Sequence, residues 1–269
     1  MLTISIISAL AIGIVIGLLG GGGGVLAMLT LTYILGFSDV GEITAMVLVI
    51  VGVGSLIGAF LNYRRGLIDI RSGLVFAIPS FVSVYLTRLL LHGLPETVWF
   101  YVGSLEITKR LFVLGLFAIV MLLSGFLMLK PGKELASRAA PGKLQFLLAG
   151  LAGVAVGFLS GLTGAGGGFL VVPALVLMLA VPFKTAVGTT QLVLGAKSVI
   201  GFLADVFHSP HPINWSFLGP MVLFTGLGVI AGLYFSQKIP AKNLKRAFGL
   251  FVIVLAIGML YWELSGSQG

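Results

Sequence analysis

Long apolar runs separated by short polar stretches dominate the chain. Six of these runs can each cross the hydrocarbon core of a bilayer as one helix, which takes about 20 mostly apolar residues. They occupy residues 42–62, 72–92, 110–129, 184–206, 215–237 and 247–263. Two further apolar regions, 4–36 and 143–183, are interrupted by glycines. The pattern predicts an all-α, polytopic membrane protein.

The composition supports a membrane location. Apolar residues make up 58% of the chain and charged residues only 9%, whereas a soluble domain carries roughly a quarter charged residues. The net charge of +8 would suggest nucleic acid in a soluble protein, but these cations lie mainly in loops between apolar runs. We therefore expect a lipid bilayer, and no nucleic acid, as partner. There are no cysteines, which excludes disulfides, and the first apolar segment lacks the features of a signal peptide.

The two interrupted regions resemble each other at an offset of 144 residues. Seven of the ten positions in 17–26 are identical to their equivalents. The identities are Gly17/Gly161, Leu18/Leu162, Gly20/Gly164, Gly22/Gly166, Gly23/Gly167, Gly24/Gly168 and Leu26/Leu170. Paired interruptions in the two halves of a membrane protein indicate a transport site.

Each interruption predicts a turn within the membrane. The flanking segments 4–19 and 25–36 are short for spanning helices, and irregular backbone at membrane depth needs burial in protein or a cavity. A helix that restarts near Val25 or Phe169 presents unpaired N–H groups and the positive end of its dipole, which suits an anion. The alternative is that these glycines only let neighbouring helices pack closely.

The distribution of cations distinguishes two topologies. If each interrupted region crossed the membrane once, the loop cations would divide seven against seven, contrary to the expected inside bias. If each region instead forms a re-entrant hairpin, twelve lie on one face and two on the other. The twelve are Arg64, Arg65, Arg71, Lys130, Lys133, Arg138, Lys143, Lys184, Lys238, Lys242, Lys245 and Arg246, with Lys109 and Arg110 outside.

The second topology predicts two inverted repeats. The first repeat covers 1–129 and the second 144–269, each with a glycine-broken re-entrant helix hairpin and three transmembrane helices. The segment 130–143 is a cytoplasmic linker, and both termini face outward.

The second glycine motif carries a family resemblance. Residues 157–173, GFLSGLTGAGGGFLVVP, and 182–189, PFKTAVGT, resemble the TauE/SafE family of sulfite exporters and sulfonate permeases. The first half is similar through Gly17–Gly20, its glycine run, and 63–69, YRRGLID. It departs from the pattern where Asp39, Glu42 and Ala45 stand in place of Phe183, Ala186 and Thr189. The halves are therefore expected to contribute unequally to a site.

The resemblance implies an integral membrane carrier for sulfur-containing anions such as sulfite, sulfoacetate or other organosulfonates. It also implies a multi-pass protein of the bacterial cytoplasmic membrane, without a cofactor or resident metal.

Lys197 is the candidate positive charge for such an anion. It lies thirteen residues into the span that starts at Lys184, where an ionised side chain costs about 2.5–3.5 kcal/mol on insertion scales. The alternatives are a snorkelling lysine or a pair with Asp205, which is about 12 Å further along a helix. Asp205 is also a candidate for carrying a coupled proton.

Thr189, Thr190 and Gln191 supply hydroxyl and amide donors on the same span, and Thr190 shares a face with Lys197. Ordinary hydrogen bonding between helices is the alternative for these three. The predicted substrate-binding set is Gly22, Gly23, Gly24, Thr163, Gly166, Gly167, Gly168, Thr189, Thr190, Gln191 and Lys197. In the first half, the equivalent span offers only Thr44 and Ser55.

No enzyme is indicated, because the apolar body holds no paired carboxylates, no metal-ligand cluster and no dinucleotide fingerprint. Three functions stay open: a carrier with alternating access, an anion channel, and a membrane scaffold without flux. Direction of transport, ion coupling and oligomeric state are not determined by the sequence.

Overall fold

Helices form the bundle and match the predicted segments closely. The computed structural model describes residues 2–37, 39–91, 98–102, 105–130, 143–163, 168–208 and 214–266. The helices in these ranges are α1 (Leu2–Leu19), α2 (Gly23–Leu29), α3 (Val40–Arg64), α4 (Ile70–Leu91), α5 (Lys109–Leu129), α6 (Lys143–Thr163), α7 (Gly168–Met178), α8 (Phe183–His208), α9 (Trp215–Lys238) and α10 (Ala241–Gly266). A π-helical turn, Thr30–Ile34, follows α2.

Five of the described helices are long and apolar enough to cross a membrane. The spanning segments are Gly41–Arg64, Ile70–Thr87, Phe183–Leu203, Trp215–Lys238 and Ala241–Tyr261. The sixth predicted span, 110–129, coincides with α5, whose described apolar part is the shorter Ala118–Leu129. The two interrupted regions contain pairs of shorter helices, α1 with α2 and α6 with α7, as their glycines predicted.

A two-stranded hairpin between α4 and α5 was not predicted. Strands β1 (Val98–Val102) and β2 (Leu105–Thr108) pair antiparallel, with Phe100 opposite Ile107. The hairpin lies in the connection between two helices and leaves the predicted all-α fold class unchanged. β1 reads VWFYV, which is rich in aromatic and β-branched residues, and those favour strands. Such a short segment carries too weak a signal to stand out among twenty-residue apolar runs.

Polar side chains at the loops begin several helices. Asp39 accepts a hydrogen bond from the Glu42 amide at 2.9 Å at the start of α3. Asn214 accepts one from the Phe217 amide at 3.3 Å at the start of α9. Because the first amides of a helix have no partner within it, such caps fix where each helix begins.

Equivalent helices of the two halves pack against each other in antiparallel pairs. On α3, a methyl group at Gly52 would lie 2.8 Å from the Ser198 side chain, and one at Gly58 would lie 2.5 Å from that of Gln191. Later residues of α3 thus contact earlier residues of α8, so the two helices run antiparallel. In the same way α5 and α10 meet closely, with Gly125 against Ile253 and Gly249 against Leu129.

The remaining close pairs join non-equivalent helices and run parallel. On α1, Gly13 lies against Gly228 and Gly17 against Gly232 of α9, with glycines four residues apart on both helices. α6 packs on α4 in a similar way, through Gly153 and Gly157. These are small-xxx-small contacts, in which the absence of side chains lets two backbones approach closely.

The directions of these helices show how the first interrupted region runs. Gln237 near the end of α9 contacts both Arg65, at the end of α3, and Lys184, at the start of α8. Hence α3 and α9 end at the level where α8 begins. Since α1 is parallel to α9, α1 and α3 run in the same direction, and the chain between them must reverse. This is the path of a hairpin.

Apolar side chains cover both the interior and much of the outside. The first part of α7, Gly168–Leu175, is buried throughout, and it joins a core with Phe76, Met121 and Phe248. A second core surrounds α1 and α3. Large apolar residues such as Ile119 and Val254 are more than half exposed on the outer helices. A surface of this kind suits lipid and not water.

Candidate functional site

The two glycine breaks touch each other inside the bundle. A methyl group at Gly21 would lie 2.6 Å from the carbonyl oxygen of Gly168 and 3.0 Å from the Cα of Phe169. The first break therefore passes directly beside the first residues of α7. Regions separated by almost 150 positions in the sequence therefore meet at one point.

The first break is a backbone turn that glycine makes possible. Gly20 and Gly22 have φ angles of +71° and +88°, in the left-handed region that other residues avoid. A methyl group at Gly22 would also lie 2.5 Å from the ring of Phe251. Gly23 and Gly24 then form the first turn of α2, two residues earlier than the predicted restart at Val25.

Part of the second break lies outside the described residues. Thr163 is the last residue of α6 and Gly168 the first of α7, whereas Gly166 and Gly167 fall between the described ranges, so their part in the site stays a prediction. Gly168 itself is buried, and a methyl group there would lie 2.5 Å from Leu194 of α8.

One face of α8 lines the meeting point of the breaks. Val187 lies against Gly20, since a methyl group at Gly20 would be 2.8 Å from its side chain and from its carbonyl oxygen. Leu194, seven residues later, lies against Gly168. Thr190 stands between them at helical spacings of three and four, so it shares their face. Its side chain is fully buried, and within the described ranges its Oγ1 has no hydrogen-bond partner.

Gln191 on the neighbouring face ties three helices together. Its Nε2 donates to the carbonyl oxygen of Ile16 in α1 at 2.7 Å. Its Oε1 accepts from Nδ2 of Asn62 in α3 at 2.8 Å. Gly58 gives the amide room, because any side chain there would collide with it. These contacts match the alternative of hydrogen bonding between helices, and they connect the first half to the second.

Thr189 holds the turn between α3 and α4. Its Oγ1 accepts a hydrogen bond from the Asp69 amide at 2.9 Å. The Asp69 carboxylate in turn accepts from the amide and hydroxyl of Ser72, at 3.1 and 2.5 Å, and so begins α4 as an N-cap. Thr189 therefore connects the start of α8 to the start of α4.

Lys197 reaches from α8 to α6. Its Nζ donates to Oγ of Ser160, a buried residue of α6, while the lysine itself is half-buried. The predicted alternative partner, Asp205, has a side chain outside the described set. Ser160 was predicted only as a member of the motif 157–173 and not as a neighbour of Lys197. Since serine is common in membrane helices, no signal in one sequence could have singled it out.

Known proteins resemble this chain over almost its full length. Residues 5–259 match the family described as "Sulfite exporter TauE/SafE". A "Probable membrane transporter protein" of Xylella fastidiosa is 28% identical over 268 residues, covering 97% of this chain and 95% of that protein.

Two further relatives show the same extent of similarity. The "Probable membrane transporter protein YunE" of Bacillus subtilis is 27% identical over 286 residues, with 96% and 97% coverage. A "Probable membrane transporter protein" of Methanocaldococcus jannaschii is 27% identical over 271 residues, with 97% and 96% coverage. Because the family match covers residues 5–259, with both glycine breaks and the first five predicted spans complete, the chain belongs to the TauE/SafE family and is a multi-pass membrane transporter.

Proposed function

We propose that the protein carries sulfur-containing anions, sulfite or organosulfonates, by alternating access, and binds them where the two glycine breaks meet. The observation that supports this site best is Thr190, which is fully buried with no hydrogen-bond partner for its hydroxyl in the described structure and lies on the face of α8 whose Val187 and Leu194 contact the breaks. The proposal includes the inverted repeat and a bacterial cytoplasmic membrane. The antiparallel pairing of equivalent helices supports that repeat.

An oxyanion would supply the hydrogen-bond acceptor that the Thr190 hydroxyl lacks within the described residues. A buried hydroxyl without a hydrogen bond is unfavourable by about 1–3 kcal/mol, and a sulfonate or sulfite oxygen would accept its proton. The first amides of α7 have no partner within the helix, and they add further donors and a positive dipole end. Partly dehydrated anions need such convergent donors.

Lys197 supplies the charge in this proposal. It lies seven residues after Thr190 on the same helix, so its stem follows the face that contacts the breaks. Its Nζ donates to Oγ of Ser160, a contact that orients the ammonium group. We therefore assign Thr190 and Lys197 to the anion.

Gln191 and Thr189 have a different role in this proposal. Both are fully buried, and both spend their hydrogen bonds on other helices. They hold α8 in register with α1, α3 and α4, and so position Thr190 without contacting the anion themselves.

The test is uptake into proteoliposomes of labelled sulfite, a small alkyl sulfonate and an aromatic sulfonate, each with and without a proton gradient. We expect saturable uptake and counterflow of one class for the wild type. Thr190→Val removes one charge-assisted hydrogen bond, about 1.5–3 kcal/mol, so transport efficiency falls about 10- to 150-fold. Lys197→Ala reduces it further.

Thr225→Val is the matched control. Thr225 is equally buried, but its hydroxyl donates to the Ala9 carbonyl at 3.2 Å and lies between α9 and α1. This variant loses some stability and keeps the wild-type substrate affinity. Equal uptake by Thr190→Val and wild type would remove Thr190 from the site. Flux without saturation or counterflow would favour a channel, and no flux of any tested anion from folded protein would favour the scaffold.

A further inference from the structure

A cavity opens at the end of the bundle where α3 and α9 end and α8 begins. It is an open cleft whose empty space, the solvent-filled mouth included, is about 300 Å³. We call it the Arg65 pocket. Its lining is Leu18, Asn62, Arg65, Leu67, Phe183, Lys184, Val187, Leu233, Ser236, Gln237 and Leu244. Both halves of the chain contribute, so the pocket exists only in the assembled bundle.

Two cations in this lining share one neutral partner. The Gln237 side-chain oxygen, when placed toward the arginine, lies 2.7–3.0 Å from three guanidinium nitrogens of Arg65. The Gln237 backbone carbonyl accepts from Nζ of Lys184 at 3.4 Å. One residue thus brings the two positive charges to the same cavity. The positive-inside rule explains why cations lie at this end of the bundle, but not why these two point into a common pocket.

The charge in the Arg65 pocket is unbalanced. The lining contains two cations and no carboxylate, and Gln237 carries no charge. Phe183 and Lys184 begin α8, so the positive end of that helix dipole lies at the same place. Charges of like sign at one site repel each other, and an anion between them relieves that repulsion. The pocket is therefore electropositive and selects against cations.

The Arg65 pocket lies next to the glycine breaks. Val187 belongs to its lining and also contacts Gly20. Leu18, another lining residue, lies two positions before Gly20. The pocket and the first glycine break therefore share Val187 as a common neighbour. A solute that leaves the breaks toward this end of the molecule reaches the pocket next.

We propose that the Arg65 pocket is a second anion site, in which Arg65 and Lys184 bind a small oxyanion on its way to or from the glycine breaks. The identity of the oxyanion as a sulfonate or sulfite rests on the function proposed above. The electropositive character of the pocket is independent of that function. Asn62 and Ser236 add polar groups to the wall, and the apolar floor of Leu18 and Val187 closes the pocket toward the breaks.

The absence of cysteine allows a direct test, because a single introduced thiol is the only one in the protein. Ser236→Cys places it in the pocket wall, and Leu18→Cys is a second reporter on the floor. Each is labelled in detergent-solubilised full-length protein with anionic 2-sulfonatoethyl and cationic 2-trimethylammonioethyl methanethiosulfonate. We expect the anionic reagent to react faster, relative to each reagent's rate with a free thiol. Methanesulfonate should slow both reactions.

Adjacent cations provide matched controls. Arg64 lies one position before Arg65 but stacks on Phe60, 5.1 Å from the ring centroid, outside the lining. Lys238 similarly lies over Tyr234 at 4.3 Å. Arg65→Gln or Lys184→Gln should lower the anionic-to-cationic rate ratio about three- to tenfold each, since a charge within several ångströms is removed. Arg64→Gln and Lys238→Gln should change it less than twofold.

The outcomes distinguish a failure of the Arg65 pocket from a failure of the proposed function. An equal ratio in Arg65→Gln and Arg64→Gln, or no protection by methanesulfonate and none by sulfate, overturns the pocket even if the wild type transports sulfonates. An Arg65-dependent ratio with protection by sulfate supports the pocket. If the wild type then fails to take up any sulfur anion, the proposed substrate class is wrong while the anion site stands.

Discussion

Gln191 allows the strongest test of how this bundle is held together. Gln191→Met keeps an unbranched side chain of similar length and removes both polar atoms. The carbonyl oxygen of Ile16 would keep its helical hydrogen bond from the Gly20 amide at 2.8 Å. The Asn62 amide group, by contrast, would lose its 2.8 Å partner while it is only 2% exposed. Gln191→Met therefore loses the hydrogen bond to Ile16, whose carbonyl oxygen keeps its helical partner, and also leaves the Asn62 amide group as a buried donor without a partner.

The expected loss of stability follows from these two contributions. Hydrogen bonds between membrane helices contribute on average about 0.6 kcal/mol, with a maximum near 1.7 kcal/mol. A buried donor without a partner costs about 1–3 kcal/mol. Together they lower the free energy of unfolding by about 2–4 kcal/mol, which is about a 30- to 900-fold change in the unfolding equilibrium.

A double variant tests whether the unsatisfied Asn62 donor causes the loss of stability. Asn62→Leu with Gln191→Met replaces both partners by apolar groups, which removes the unsatisfied donor. The double variant should therefore be at least as stable as Gln191→Met alone, although it carries one more substitution. Stability is measured by reversible unfolding in a lipid bicelle, and uptake is measured for the same preparations. Wild-type stability in Gln191→Met together with lost uptake would refute this reasoning and make Gln191 a ligand.

Two glycine substitutions test close backbone contacts in the same assays. Gly17→Ala places a methyl group 2.4 Å from the Val229 carbonyl oxygen, so α1 and α9 must separate at a cost of about 1–3 kcal/mol; Gly219→Ala, with nothing within 4 Å, should leave the unfolding free energy unchanged or raised. Gly21→Ala places a methyl group 2.6 Å from the Gly168 carbonyl oxygen and should reduce uptake at least tenfold in folded protein. An unfolding free energy of Gly17→Ala equal to that of the wild type, or an uptake rate of Gly21→Ala equal to that of the wild type, would show that these contacts are not tight.

Most of the helical architecture could be predicted because a membrane imposes a simple rule on the sequence. A span must be apolar for about 20 residues and must satisfy its own backbone. Thus the predicted 215–237 corresponds to α9 at Trp215–Lys238, and 42–62 lies inside α3 at Val40–Arg64. The errors are at the ends, where polar caps such as Asp39 extend the helix beyond its apolar core.

The roles of the polar residues could not be predicted, because they depend on which helix each one faces. Thr189, Thr190 and Gln191 are consecutive and equally buried, and the sequence treats them alike. In the bundle they point to three different neighbours, since successive helical residues are rotated by about 100°. One meets the Asp69 amide, one meets α1 and α3, and Thr190 shares the helical face of Val187 and Leu194, which contact the breaks. Only the packing of α8 against the first half distinguishes them.

The packing of the helices also constrains the transport mechanism. The sequence suggested two inverted bundles that alternate around the glycine breaks, with the boundary at the 130–143 linker. Yet α1 of the first half is joined to α9 of the second through Gly13, Gly17, Gly228 and Gly232, and α4 is joined to α6 of the second half. Such close backbone contacts do not slide easily. Any rigid body that moves must therefore contain helices from both halves. Val187, which contacts Gly20 and lines the Arg65 pocket, connects the proposed anion site at the breaks to the proposed site at the end of the bundle, so both proposed sites border α8.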